Sequence, residues 1–322
     1  MEQRRLGRSG LMISSLGLGT WRWGRETDPD EAAAVLVAFR DAGGTLIDTA
    51  VGYGDGAAEQ ILGQLIADVV PRDELVIASK AGHRWRDGVA LVDASRRGLL
   101  RDLELSLERL GVDHLDLWQL HTPDPVVPVD ETLAALDMAV ASGKVRYVGL
   151  SNFSGWQTAR AATWQRAVPG RAPLVSNQVS YSLLERGIER EALPACRALG
   201  LGVLAYSPLG GGVLTGKYRG GIPADSRAAA SGRHLAPLQD PATIGVVEAV
   251  ATAAEGLATS PLAVALAWVR DRPGVAAPIL GARTLGQLTA ALAAETLDLP
   301  SEIRRALDDV SAPYAGYPEI DS

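Results

Sequence analysis

A single cysteine, Cys196, occurs in 322 residues, so no internal disulfide can form and a reducing, cytoplasmic setting is expected. It lies in the helical-looking run Leu193-Pro194-Ala195-Cys196-Arg197-Ala198-Leu199 and reads as packing. No uninterrupted apolar run is long enough to cross a bilayer, and Met1-Glu2-Gln3-Arg4-Arg5 lacks an apolar signal core. Membrane spanning and secretion are therefore disfavoured. Lys and Arg form no dense tract and the net charge is −7, which argues against nucleic acid or an anionic membrane as partner. His-x-x-x-His is absent, and His83, His114 and His234 show no ligand spacing, so no metal site is expected.

Also missing is the dinucleotide fingerprint Gly-x-Gly-x-x-Gly. Gly17-Leu18-Gly19-Thr20-Trp21 is followed by Arg22 where the third glycine would stand, which counts against a doubly wound open sheet. What is present is an alternation of short β-branched or leucine-rich runs with longer amphipathic ones, the pattern of β/α units. A short hairpin is expected around Gly7 to Gly10. Eight strands follow, near Leu16 to Thr20, Thr45 to Asp48, Leu75 to Lys80, Leu115 to His121, Val145 to Ser151, Val175 to Gln178, Val203 to Tyr206 and Ala277 to Gly281. Asp28-Pro29-Asp30-Glu31 supplies a helix N-cap, and Gly43-Gly44, Gly111, Gly143 and Gly200 fall where helices should stop. A (β/α)8 TIM barrel forming a single domain over residues 1–322, preceded by the hairpin, is the expected fold. Residues 219–241 read either as a flap over a ligand or as a loose insertion, and 312–322 either as a tail folded over the same face or as a disordered end.

Four polar residues stand at strand ends: Asp48, Tyr53 in the loop directly after it, Lys80 and His121. In a parallel barrel such ends open onto one face, where chemistry concentrates. Carbonyl reduction by hydride needs an acid for the developing alkoxide. Tyr53 can be that acid if a Lys80 ammonium lowers its pKa from about 10, with Asp48 keeping Lys80 charged and His121 donating to the substrate oxygen or sharing the relay. Singly, each residue reads better as an ordinary one: Asp48 as a turn residue, Tyr53 as a loop aromatic, Lys80 as a solvated strand end and His121 as a cap.

Together, and in their contexts, they resemble the catalytic tetrad of the aldo-keto reductases. Asp48-Thr49-Ala50-Val51-Gly52-Tyr53-Gly54 with Glu59-Gln60-Ile61-Leu62-Gly63, Ala78-Ser79-Lys80 and Gln119-Leu120-His121 carry the likeness in the first half. Gly149-Leu150-Ser151-Asn152-Phe153, Asn177-Gln178-Val179, Ala205-Tyr206-Ser207-Pro208-Leu209 with Leu214-Thr215-Gly216-Lys217, and Ile279-Leu280-Gly281-Ala282-Arg283 with Gln287 carry it in the second. The likeness is nearest to bacterial members related to potassium-channel β-subunits. It implies NADPH as cofactor. Tyr206 would stack on the nicotinamide, and Ser151, Asn152 and Gln178 would bond its carboxamide. Ser207, Pro208, Leu209 and Gly210 with Lys217 would hold the pyrophosphate, and Gly281, Arg283 and Gln287 would meet the adenosine end. Thr20 and Trp21, after the first strand, would also touch the cofactor.

Thr284-Leu285-Gly286-Gln287 is a capping-box pattern, so a helix starting there should aim free N–H groups at a phosphate. Ala290 and Ala291 stand where the family usually has an acidic residue and an asparagine that clasp the adenine. Trp21, Trp23, His83 and Trp85 fall in loops above the site and read either as a substrate wall or as mutual packing. The resemblance implies an NADPH-dependent oxidoreductase of aldehydes or ketones, or in reverse of alcohols or sugars, with a small-molecule partner and a monomeric or homo-oligomeric state. The contrasting classes are a cofactor-binding regulatory subunit and a barrel hydrolase.

Overall fold

In the computed structural model, which describes residues 1–86, 89–224, 229 and 239–313, two short antiparallel strands come first, β1 (Gln3–Arg5) and β2 (Met12–Ser14). This is the expected hairpin, and it plugs one end of the barrel. Leu6, Leu11 and Ile13 pack against the inward side chains Leu46, Ala78, Leu117, Val175, Leu204, Ala277 and Ile279. Gly7 is at φ +59°, and a Cβ there would lie 2.5 Å from the Gly200 carbonyl oxygen, so the turn can approach the barrel floor only as glycine.

The barrel strands are β3 (Gly17–Gly19), β4 (Leu46–Asp48) and β5 (Val76–Ala81). After an antiparallel excursion, β6 (His83–Arg86) and β7 (Val89–Val92), they continue as β8 (Leu115–Leu120), β9 (Val145–Ser151), β10 (Leu174–Ser180), β11 (Gly202–Tyr206) and β12 (Val275–Leu280). The eight close into a barrel in sequential order with every neighbour parallel. All eight expected strands are present, with ends displaced by at most two residues and Val145–Ser151 matched at both ends. The β6–β7 pair is the addition, where a plain loop was expected.

Helices α1 (Pro29–Asp41), α2 (Ala57–Asp68), α3 (Arg96–Leu110), α4 (Val129–Ala141), α5 (Gly155–Ala167), α6 (Ala192–Leu199), α7 (Pro241–Gly256), α8 (Pro261–Arg270), α9 (Leu285–Leu292) and α10 (Ser301–Val310) are described. The Asp28 side chain accepts from Glu31 N at the start of α1, and Gly111 and Gly200 end α3 and α6 in the left-handed conformation. The main apolar core lies between strands and helices, with Ile47, Ile77, Trp118, Val148 and Val203 facing out to it. Among the described residues no single helix is long and apolar enough to cross a membrane. The pair α7 and α8 has the length and composition, but it is bent by 101° and α8 is buried from Ala263 onward. Most of 219–241, and residues 314–322 of the expected tail, lie outside the described residues.

Candidate active site

Side chains alternate in and out along a strand, so inward parity at the plugged end carries to the open mouth. Leu46 points inward and two residues on stands Asp48; Ala78 is followed in the same way by Lys80, Leu204 by Tyr206 and Ile279 by Gly281. Leu117 leads through Gln119 to His121, just beyond β8. Ser151 and Gln178 end or near the end of β9 and β10. Asp48, Lys80, His121, Tyr206 and Gly281 thus lie toward the mouth opposite the hairpin.

Lys80 is the hub. Its Nζ donates to Asp48 Oδ2 at 2.7 Å, to the Thr49 carbonyl at 2.9 Å and to the Tyr53 hydroxyl at 3.1 Å. Both Lys80 and Asp48 are buried. Gln178 Nε2 donates to the other oxygen, Asp48 Oδ1, at 2.7 Å, so the carboxylate is held from two sides. The Tyr53 and His121 rings meet edge to face at 5.8 Å, and His83 stands 5.0 Å from His121. The His121 side chain makes no hydrogen bond to a described residue, and its Nδ1 is buried.

The turn that carries Tyr53 is braced from outside the barrel. Gly54, Asp55 and Gly56 are all at positive φ, which folds the chain tightly into α2. Arg109 on α3 donates to the Val51 carbonyl at 2.8 Å and pairs with the wholly buried Glu59 at 3.4 Å. A Cβ at Gly56 would lie 2.3 Å from the Arg109 guanidinium carbon. Glu59 also accepts from Ser79, next to Lys80. No role for Arg109 was read from the sequence. A lone arginine near a helix end carries no local signal of a partner 58 residues away.

Burial pushes the Tyr53 phenol above its ordinary value of about 10; Lys80 pulls it down, and Asp48 behind Lys80 pushes it up again. The lowered phenol expected from the sequence is therefore not found, because desolvation and the Asp48 charge outweigh the ammonium. Burial also opposes the charge on Lys80, but Asp48 and Tyr53 prevail and its pKa is raised. Burial, reinforced by Lys80 and His83, holds His121 well below its ordinary range, so the imidazole is neutral.

Among the second-half residues, Gln178, Asn152 and Tyr206 are tied to the tetrad by hydrogen bonds. Asn152 is at φ +61° and Ser207 at φ +53°, both in a region non-glycine residues rarely occupy. Asn152 Nδ2 donates to the His121 carbonyl at 2.9 Å and to Ser151 Oγ at 3.2 Å, while its Oδ1 accepts from the Tyr206 hydroxyl at 3.0 Å. Beyond Pro208 and Leu209, the glycines Gly210, Gly211 and Gly212 are all left-handed. Lys217 is exposed, lies over the Tyr218 ring and makes no ion pair with a described residue. Gly281 has open space on its Cβ side. Thr284 caps α9 by accepting from Gln287 N, but Gln287 Oε1 reaches Arg283 N, one residue short of a full capping box. Ala290 is exposed, whereas Ala291 is turned into the core.

Two expected contact residues have no surface to offer. Trp23 is 0% exposed and packs in the main core, because a backbone bridge to Thr27 folds its loop inward. Thr20 is equally buried, its N–H and hydroxyl both spent on the Asp48 carbonyl. Trp21 and Trp85, by contrast, are 46% and 48% exposed. Trp21 is covered by the Arg22 guanidinium at 4.0 Å, and Trp85 stands edge-on to His83 at 5.7 Å. His83 and Trp85 both lie on β6, whose chain passes directly over the tetrad turn: a Cβ at Gly52 would meet the His83 carbonyl oxygen at 2.8 Å.

A phenol backed by a buried ammonium–carboxylate pair, beside a neutral imidazole at the open end of a (β/α)8 barrel, is the equipment of a barrel oxidoreductase. Comparison with known proteins takes this further: the chain belongs to the aldo/keto reductase family, whose model matches residues 15–312. It is 39% identical to an uncharacterized oxidoreductase, YrpG, of Bacillus subtilis over 96% of each chain. It is 37% identical to a probable voltage-gated potassium channel subunit beta of Oryza sativa over 89% of each. To the L-glyceraldehyde 3-phosphate reductase of Escherichia coli K12 it is 35% identical, over 89% of this chain and 86% of the relative. The protein is an NAD(P)H-dependent oxidoreductase of the carbonyl-reducing kind.

Proposed function

We propose that the protein reduces a small aldehyde or ketone with NADPH, with Tyr53 as the proton donor, in a cytoplasmic setting. The observation that carries the reading is the chain of contacts from the Tyr53 hydroxyl to Lys80 Nζ at 3.1 Å and on to Asp48 at 2.7 Å. A bound nicotinamide supplies the hydride. Tyr53, its pKa raised by burial, stays protonated through the neutral range and can give its proton to the carbonyl oxygen as that oxygen gains charge. Lys80, held as an ammonium, donates a hydrogen bond to the Tyr53 oxygen and steadies the phenolate left behind, which solvent then reprotonates. Placing the His121 proton on Nε2 leaves the buried Nδ1 as a bare acceptor and gives the substrate oxygen a second donor. In reverse, the same groups would serve the oxidation of an alcohol or of the anomeric carbon of a sugar.

The residues present fit the cofactor. Lys217, which makes no ion pair with a described residue, stands beside three left-handed glycines and suits a pyrophosphate, and Asn152, held at positive φ, joins the His121 carbonyl to the Tyr206 hydroxyl. Arg283 would meet the 2′-phosphate through two donors. Trp21, His83 and Trp85 would wall the substrate pocket.

The relative named as a potassium channel subunit beta keeps a second reading open, a cofactor-binding regulatory subunit with little turnover. Following NADPH oxidation by purified protein against a panel of aldehydes and ketones separates the two. Robust turnover supports the reductase; tight NADPH binding with negligible turnover across the panel supports the subunit.

A further inference from the structure

The adenosine end assigned above to Arg283 and α9 already carries carboxylates from the first β/α loop and from α1. Arg283 Nη1 lies 3.2 Å from Glu26 Oε2, and the other Glu26 oxygen pairs with Arg22. One carboxylate therefore holds two guanidinium groups. Thr27 Oγ1 donates to the Arg283 carbonyl at 3.0 Å, which fastens the loop bearing Glu26 against residue 283. At the start of α9, Leu285 N donates to Glu31 Oε1, Gln287 N to Thr284 Oγ1 at 3.3 Å, and Arg283 N to Gln287 Oε1 at 3.0 Å. The free N–H groups expected there are thus largely met by the protein's own acceptors.

We propose that Glu26 and Glu31 are cofactor-selecting residues. They engage one nitrogen of the guanidinium and the helix-terminus donor that would grip the 2′-phosphate of NADP(H), and so hold the preference for NADP(H) over NAD(H) below what Arg283 alone would give. This rests on the reading of Arg283 as the 2′-phosphate contact. A phosphate monoester carries nearly two negative charges. It must share the Arg283 guanidinium with Glu26 or displace it from Nη1, and it then sits beside two carboxylates that repel it. A free 2′-hydroxyl requires no such exchange, and a carboxylate beside a ribose is a good acceptor for it.

The test is calorimetric titration of NADPH, NADH, 2′,5′-ADP and 5′-AMP against wild type, Glu26→Gln, Glu26→Gln/Glu31→Gln and Arg283→Ala. Glutamine keeps the shape and the acceptor oxygen while removing the charge. Glu26→Gln should tighten NADPH and 2′,5′-ADP about twofold to fivefold, the worth of an exposed ion pair, and the double variant roughly tenfold. NADH and 5′-AMP should change by less than about twofold. If Arg283→Ala lowers the NADPH:NADH affinity ratio but Glu26→Gln leaves it unchanged, the proposal falls and the reading of Arg283 stands. If Arg283→Ala leaves the ratio unchanged, that reading falls and the proposal with it. Should the double variant fold poorly, Glu26→Gln alone decides.

Discussion

Replacing Lys80 by methionine should cost the protein both its stability and its chemistry, and a second substitution should return only the first. Lys80 Nζ is the donor to Asp48 Oδ2, the Thr49 carbonyl and the Tyr53 hydroxyl, and the side chain is 1% exposed. Lys80→Met fills a similar space but leaves the buried Asp48 carboxylate with Gln178 Nε2 as its remaining side-chain donor. Removing one partner of a buried ion pair typically costs about 3–5 kcal/mol, because the other charge remains uncompensated. Adding Asp48→Asn removes that stranded charge, and the double variant should recover about 2–3 kcal/mol of the loss. Urea unfolding at constant slope reads both values. Carbonyl reduction should stay lost in both variants, since neither offers Tyr53 an ammonium. A Lys80→Met protein within about 1 kcal/mol of wild type, or a double variant no more stable than the single, would refute the claim that this pair is held by mutual compensation.

The tryptophans divide by exposure. Trp23→Ala should destabilise the fold by about 3–5 kcal/mol without altering substrate ranking, whereas Trp21→Ala and Trp85→Ala should shift KM and ranking at nearly unchanged stability and NADPH affinity. Unchanged ranking in both of the latter would make them structural. Arg283→Ala should weaken NADPH about tenfold and NADH little; the lower end of the range for a charged hydrogen bond applies because Arg283 is already paired with Glu26. Equal losses for both cofactors would remove Arg283 from 2′-phosphate recognition. The rate of reduction should be level across neutral pH and fall only above about 10, since Tyr53 stays protonated until its raised pKa is passed, and Lys80→Met should move any residual fall higher still. A fall centred near 7 would point to another group as the acid.

Much of the site was legible because the tetrad stands at strand ends, which are easy to place, and because the segments around Asp48, Lys80, His121, Tyr206 and Gly281 resemble the aldo-keto reductases. The structure supplies the reason, since Leu46, Leu204 and Ile279 face inward and Asp48, Tyr206 and Gly281 follow at the same parity. What escaped the sequence depended on sums or on distance. The direction of the Tyr53 shift is a balance of burial, Lys80 and Asp48, whose signs were readable but whose relative sizes were not. Trp23 and Trp21 share a loop, and which one turns inward goes with backbone bonds of that loop, among them the bridge from Trp23 to Thr27, that the sequence does not show. The pairing of Arg283 with Glu26 spans 257 residues. The β6–β7 pair was within reach, since Asp87-Gly88, between Trp85-Arg86 and the apolar run Val89-Ala90-Leu91-Val92, is a short-range hairpin signal.

The claim that Tyr53 is the acid is tested most directly by Tyr53→Phe, which removes the hydroxyl at 3.1 Å from Lys80 and leaves the ring. The account predicts that NADPH binding stays within about twofold of wild type while carbonyl reduction falls by roughly 10²–10⁴, the worth of a general acid. Turnover like that of wild type in this variant, with the same substrate and at the same pH, would contradict it.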